Sequence, residues 1–168
     1  MARISPKIGD IFLVKIGENE KKYFQIIAFD STQLSSSVIR VFKNKYHINE
    51  DPNLLDIVGN EIDFYTHCST KLGVKLNLWQ KVGNNKNVGR IDNLIFRGTS
   101  DSGRKLGEKP VKISNKWYVW KINDKDFTRV GKLEGINKNS EIGLVVSPYD
   151  VIDRMKMGKF NFYYPDFE

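Results

Sequence analysis

The sequence predicts a mostly β (α+β) fold: a small, strongly curved sheet or partly open SH3-like barrel with a C-terminal helix. Three observations carry this. Short runs of β-branched and aromatic residues recur between turn formers from residue 11 onward. Only one stretch, 147–158, carries a full set of helix start and stop signals. The 168 residues are 40% apolar, with ten Phe, seven Tyr and three Trp, which is enough for one packed core, so 1–168 reads as a single domain. A small sheet that bends round that core, with the helix over one opening, satisfies all three.

The elements follow in order. In "KIGDIFLVKI" (7–16), Gly9 and Asp10 form a turn that hands directly to an apolar run, and Gly accepts the backbone angles such a corner needs. "IFLVKI" (11–16), "YFQIIAF" (23–29) and "SVIRVFK" (37–43), separated by the polar stretches "GENEKK" and "DSTQLSS", read as a β-meander. "DPNLLDIVG" (51–59) predicts a single helical turn, with Leu54, Leu55 and Val58 at helical spacing. "EIDFYTHC" (61–68) places Ile62, Phe64, Thr66 and Cys68 on one face of a strand. "LGVKLNLW" (72–79) alternates Leu72, Val74, Leu76 and Leu78 and reads as strand, with a short helix as the alternative.

"GNNKNVGR" (83–90) is turn-rich, "IDNLIFR" (91–97) reads as strand, and "GTSDSGRKLGEKP" (98–110) as a mobile loop. "KWYVWKI" (116–122) is an aromatic strand with Trp117, Val119 and Lys121 on one face and Tyr118, Trp120 and Ile122 on the other. "EIGLVVSP" (141–148) supplies one more strand. Then Ser147 as N-cap, Pro148 at the first helical position, Asp150 in the first turn, an apolar stripe of Val151, Ile152 and Met155, and Gly158 as terminator predict a helix. The aromatic tail "KFNFYYPDFE" is expected to pack on the body.

The chemistry-bearing residues are few. The one cysteine, Cys68, excludes an intramolecular disulfide and reads as a small core residue in a reducing compartment. His67 stands beside it, but neighbours on a strand point to opposite faces, so a Cys–His nucleophile pair is not expected. Nothing distinguishes Asp10, Asp30, Glu61 and Asp63 as acid/base partners from ordinary turn and surface acids. "GTSDSG" lacks the pattern of a phosphate-cradling loop, and GxSxG, HExxH and GxGxxG do not occur. No enzyme, metal or cofactor is expected. The N-terminal "MARISPKIGD" has no apolar segment after its basic residues and no run approaches a membrane span, which points to a cytoplasmic protein.

Charge is the strongest compositional signal. The net +7 is concentrated in residues 71–121, where twelve Lys and Arg face three acids, while each flank is close to neutral at −1. Such a segment suits a polyanion or an acidic protein surface; its alternative is a solubilising face. Interleaved with Trp79, Phe96, Trp117, Tyr118 and Trp120, it could also grip single-stranded nucleic acid, phosphates on cations and bases on rings, unless those rings are core residues.

With these segments placed, the chain resembles the immunity protein 26 family of bacterial polymorphic toxin systems. The similarity lies in "IGDIFLVKI" followed by "YFQIIAF", the central "LWQKVGN", "WYVWKIN", and the ending "SPYDVIDRMKMGKFNFYYPDF". It implies a cytoplasmic protein that binds a cognate toxin domain and blocks it by covering its active site or locking its motion, with no chemistry of its own. Combined with the basic segment, it implies an acidic toxin surface, or a basic block that faces elsewhere. "GDIFLVKI" also resembles the first strand of SH3-like barrel RNases of the MazF/PemK type, which supports a small curved sheet more than RNA cleavage. The contact candidates are Trp120, if its face of the strand is exposed, with Tyr118, Arg97, Arg104 and Lys105 in or beside the basic loop.

Overall fold

The computed structural model describes residues 5–103 and 106–168. The opening meander forms as its pattern requires: β1 (Asp10–Lys15), β2 (Glu20–Asp30) and β3 (Ser36–Phe42) pair antiparallel in chain order. β4 (Tyr46–His47) pairs with the start of β2, β5 (Ile62–Cys68) with β3, and β6 (Trp79–Asn84) with β1, all antiparallel. A second sheet holds β7 (Ile95–Thr99), β8 (Trp117–Lys121) and β9 (Thr128–Gly131), with β10 (Glu141–Ile142) parallel to β7. β11 (Val145–Val146) returns to the first sheet, parallel to the end of β5. The larger sheet therefore runs β11-β5-β3-β2-β1-β6 and the smaller β10-β7-β8-β9; both are open.

The Gly9–Asp10 corner explains the abrupt start of β1. Gly9 sits at φ +92°, and a Cβ there would lie 2.7 Å from the Asn85 carbonyl oxygen, so two constraints exclude a side chain. Its N–H donates to the Ile26 carbonyl at 2.8 Å. Asp10, fully buried, accepts from the Lys7 N–H (2.9 Å) and Asn84 Nδ2 (2.8 Å) and meets Lys81 Nζ at 2.8 Å. Burial raises the Asp10 pKa, but these donors outweigh it and hold the carboxyl below its usual range.

The core has two sides. On one face of the large sheet Phe12, Phe24, Ile39, Val41 and Phe64 pack under Val151, Ile152 and Met155 of α3 (Pro148–Met157), with Phe160 and Phe162 of the tail alongside. Ser147 caps α3 by accepting from the Asp150 N–H at 3.1 Å, and Gly158 ends it at φ +77°. Burying three such side chains is worth roughly 5–9 kcal/mol before entropy, against about 1 kcal/mol for the cap, so the apolar stripe fixes the helix and the cap trims its register. The opposite face is shared: Ile11, Tyr23 and Phe42 meet Ile57 and Val58 of α1 (Leu54–Val58), while Ile27 and Val38 meet Phe96 and Trp120 of the small sheet.

Three expectations are corrected. Residues 72–79 are not one strand: α2 (Thr70–Lys75) takes their first half, and Asn77 at φ +56° turns the chain into β6, which begins at Trp79. The cause is Trp79, whose indole lies on Gly73, where a Cβ would be 2.0 Å from the ring, and whose Nε1–H donates to the Thr70 carbonyl at 2.9 Å. Only Gly lets the helix come that close. Residues 141–148 form two short strands in two different sheets, because Gly143 lies between them beneath the Trp120 ring. Ile62 leaves the face of Phe64 and Cys68: Phe42 pairs with Ile62 while Val41 pairs with Phe64, and this bulge sends Ile62 to the α1 side. No helix among the described residues is long and apolar enough to cross a membrane.

Candidate functional site

Of the predicted contact residues, Arg97, Tyr118 and Trp120 lie on β7 and β8 of the small sheet. β8 divides its side chains as alternation demands: Trp117 and Val119 pack with Leu133, Tyr164 and Phe167, and Tyr118, Trp120 and Ile122 face the large sheet. Trp120 is only 2% exposed. Its ring covers Gly143, where a Cβ would lie 1.9 Å away, and its Nε1–H donates to Asp30 Oδ2 at 3.2 Å. The condition set for Trp120 as an anchor, an exposed strand face, is therefore not met; its face is the inter-sheet contact.

Tyr118 is half-buried and lies across Gly98, its ring 2.5 Å from where a Cβ would be. It packs on Phe127 with centroids 4.6 Å apart, and Phe127 also packs edge-on to Trp120 at 4.8 Å. Phe127 is 42% exposed, and Arg129, paired with Tyr118 across β8 and β9, is exposed. Tyr, Phe and Arg thus share one accessible patch, the side-chain types in which binding energy concentrates at interfaces. Phe127 and Arg129 were not singled out from sequence; the only trace was the spacing in "FTR" after a turn.

Arg97 sits half-buried on the other side of β7. Its guanidinium is 5.1 Å from the Phe167 ring centroid and 5.7 Å from that of Trp117, and Nη1 donates to the Ser140 carbonyl. Its Nε is buried and has no hydrogen-bond partner among the described residues. Arg104 and Lys105 lie outside the described residues.

Asp30 joins the two sheets. Fully buried at the end of β2, it accepts from His67 Nε2 on β5 at 2.9 Å, from Trp120 on β8, and from the Asn123 N–H at 3.3 Å just beyond β8. Burial raises its pKa, yet the His67, Asn123 and Trp120 donors together prevail and keep it lowered. Burial lowers the His67 pKa, opposed only in part by Asp30, so the imidazole is neutral, with Nε2 the donor and Nδ1 buried and without a hydrogen-bond partner among the described residues. Cys68, on the opposite face of β5, packs in the α3-side core, and burial pushes its thiol up to about 12. His67 and Cys68 diverge, as strand geometry requires.

The basic segment is divided between elements of both sheets. Lys71 and Lys75 lie on α2; Lys81 on β6 meets Asp10, Lys116 meets Asp101 at 3.2 Å, and Arg90 meets Asp92 at 3.6 Å. Phe96, Trp79 and Trp117, the rings that would stack on bases, are core. No group of three His, Cys, Asp or Glu among the described residues is placed to hold a metal ion. The arrangement offers cations, rings and hydrogen-bond donors at its surface, which is the chemistry of recognition.

A family model described as Immunity protein 26 matches residues 7–106, from the Gly9–Asp10 corner through β7 and the turn after it. No curated protein and no solved structure matches the chain.

Proposed function

The chain belongs to the immunity protein 26 family, and from that premise we propose that it binds a cognate bacterial toxin domain and neutralises it in the cytoplasm, with no catalysis of its own. Family membership is the observation that carries this reading. The condition of the chemistry-bearing groups supports it: the thiol is buried and protonated, and the one buried histidine serves as a structural donor to Asp30. The contact surface in this reading is the Tyr118, Phe127 and Arg129 patch, with Arg104 and Lys105 as its basic complement and Trp120 supporting it from below; Arg97, on the other side of β7, supplies a separate basic contact. The excess of cations favours a toxin surface that is acidic.

The test begins with a tagged pull-down from native lysate, with and without nuclease, washed at low and high salt. The expected result is one larger protein that survives both treatments and whose C-terminal domain kills cells unless this chain is co-expressed. Recovery of RNA or DNA that disappears with salt would instead assign the basic segment to nucleic acid. Arg104→Glu with Lys105→Glu is expected to weaken toxin binding without changing stability; unaltered binding would remove the loop from the interface.

A further inference from the structure

Between β7, α3 and the tail lies a cleft of about 260 Å³, lined among others by Arg97, Arg154, Lys159, Glu141, Phe160 and Tyr164. Three cations there face one carboxylate, and that carboxylate is already engaged. Glu141 Oε2 meets Arg154 Nη1 at 3.1 Å, and Oε1 accepts from the Tyr65 N–H at 3.2 Å. Arg154 is clamped between rings, its guanidinium carbon 4.1 Å from the Phe64 centroid and 4.8 Å from that of Phe160. Arg97 forms no ion pair among the described residues. Its polar contacts are the Ser140 carbonyl and two ring faces, and among the same residues its Nε has no hydrogen-bond partner.

A half-buried guanidinium without a carboxylate is costly, because removal from water is not repaid by an opposite charge. Burial lowers the Arg97 pKa and Arg154 adds to the effect, against Tyr164, Glu141 and Asp166. Tyr164 cannot neutralise it: burial pushes that phenol up to about 12, so it stays protonated. Asp166 is an exposed residue of the tail whose Oδ1 accepts from the Phe167 N–H.

We infer that this cleft is an anchoring site for a single carboxylate side chain, a Glu or Asp presented by the protein partner, received between Arg97 and Lys159 with its methylenes against Phe160 and Tyr164. The volume sets the scale, since small-molecule sites run from roughly 300 Å³ upward, so this one suits one side chain better than a nucleotide. Arg is the residue that recognises a carboxylate through paired N–H donors, and an acidic anchor in such a slot is the form a hot spot takes. The proposal rests on the toxin-binding reading only for the source of the carboxylate.

The test uses the full chain and N-acetyl-glutamate amide as probe, with N-acetyl-glutamine amide as neutral control and inorganic phosphate as tetrahedral anion. NMR of arginine Nε–H signals is the readout. Saturable shifts at Arg97 and Arg154 with glutamate and none with glutamine are expected. Lys159→Glu, at an exposed position, should weaken the probe severalfold. Glu141→Gln, which keeps an oxygen for the Tyr65 N–H but removes the competing charge, should tighten it severalfold. No saturation, an equal response to glutamine, an unmoved Glu141→Gln, or phosphate binding in place of glutamate each overturns the proposal. Failure of the probe in a chain that still neutralises its toxin removes the cleft alone. Probe binding in a chain that neutralises no toxin overturns the assignment of the occupant instead.

Discussion

Replacing Asp30 by Ala tests how the two sheets are held together. The substitution leaves the His67 Nε2–H and Trp120 Nε1–H buried with no acceptor, and it also removes the bond from the Asn123 N–H. A stranded buried donor costs about 1–3 kcal/mol, so stranding these two costs about 2–6 kcal/mol; His67 is neutral, so no ion pair is broken. Asp30→Ala is therefore expected to lose about 2–6 kcal/mol, a large share of the 5–15 kcal/mol that domains possess. Asp30→Asn keeps one acceptor oxygen and should lose about half as much. Urea unfolding followed by tryptophan fluorescence reads both, as a lower midpoint at unchanged slope. A loss below about 1 kcal/mol for Asp30→Ala would show that the sheets do not depend on this carboxylate. The node also sets a pH response. The folded pKa of His67 is depressed below its ordinary value near 6.5, so the unfolded chain takes up its proton first and stability falls as pH drops below about 6.5. Asp30 also has a depressed folded pKa, so its contribution is complete above the ordinary carboxylate range and is lost as pH falls through it. His67→Gln should flatten the decline between pH 7 and 5; Asp30→Asn should steepen it, because Asp30 is what keeps the His67 pKa from falling further.

Three further substitutions and one reaction separate packing from local effects. Gly143→Ala drives a methyl into the buried Trp120 ring and should cost about 3 kcal/mol, whereas Gly98→Ala meets only the half-exposed Tyr118 ring, which can yield, and should cost clearly less in the same melts. Ser147→Ala removes the α3 cap and should cost about 1 kcal/mol by thermal or urea unfolding. Cys68, its thiol pushed up to about 12 and fully buried, should resist a thiol reagent at pH 8 in the folded protein and react at once in denaturant; rapid native labelling would refute its burial.

What could be read from sequence was whatever is decided by near neighbours. Ser147, Pro148, Asp150 and Gly158 specify the ends of α3 within twelve residues, and the structure uses all four as expected. The two faces of β8 follow from alternation alone. Residues 72–79 misled because alternating Leu and Val also suit a short helix, and the deciding contact, Trp79 on Gly73, is a matter of shape rather than of hydrophobic period. Asp30 looked like any turn acid, since its donors come from positions 67, 120 and 123. Trp120 was placed correctly on its strand, but whether a strand face meets solvent or a second sheet is not written in the strand.

The carboxylate of Glu141 has a second consequence, for solubility. β5 would otherwise present an outer row of backbone donors and acceptors, the template on which strands of other molecules add and chains aggregate. Val145 and Val146 cover that row opposite His67 and Cys68, and Glu141 takes the Tyr65 N–H directly. A foreign strand approaching there would have to displace a charged oxygen held in place by Arg154. This rim of the larger sheet is therefore closed to strand addition, and the chain can accumulate without that edge seeding a polymer.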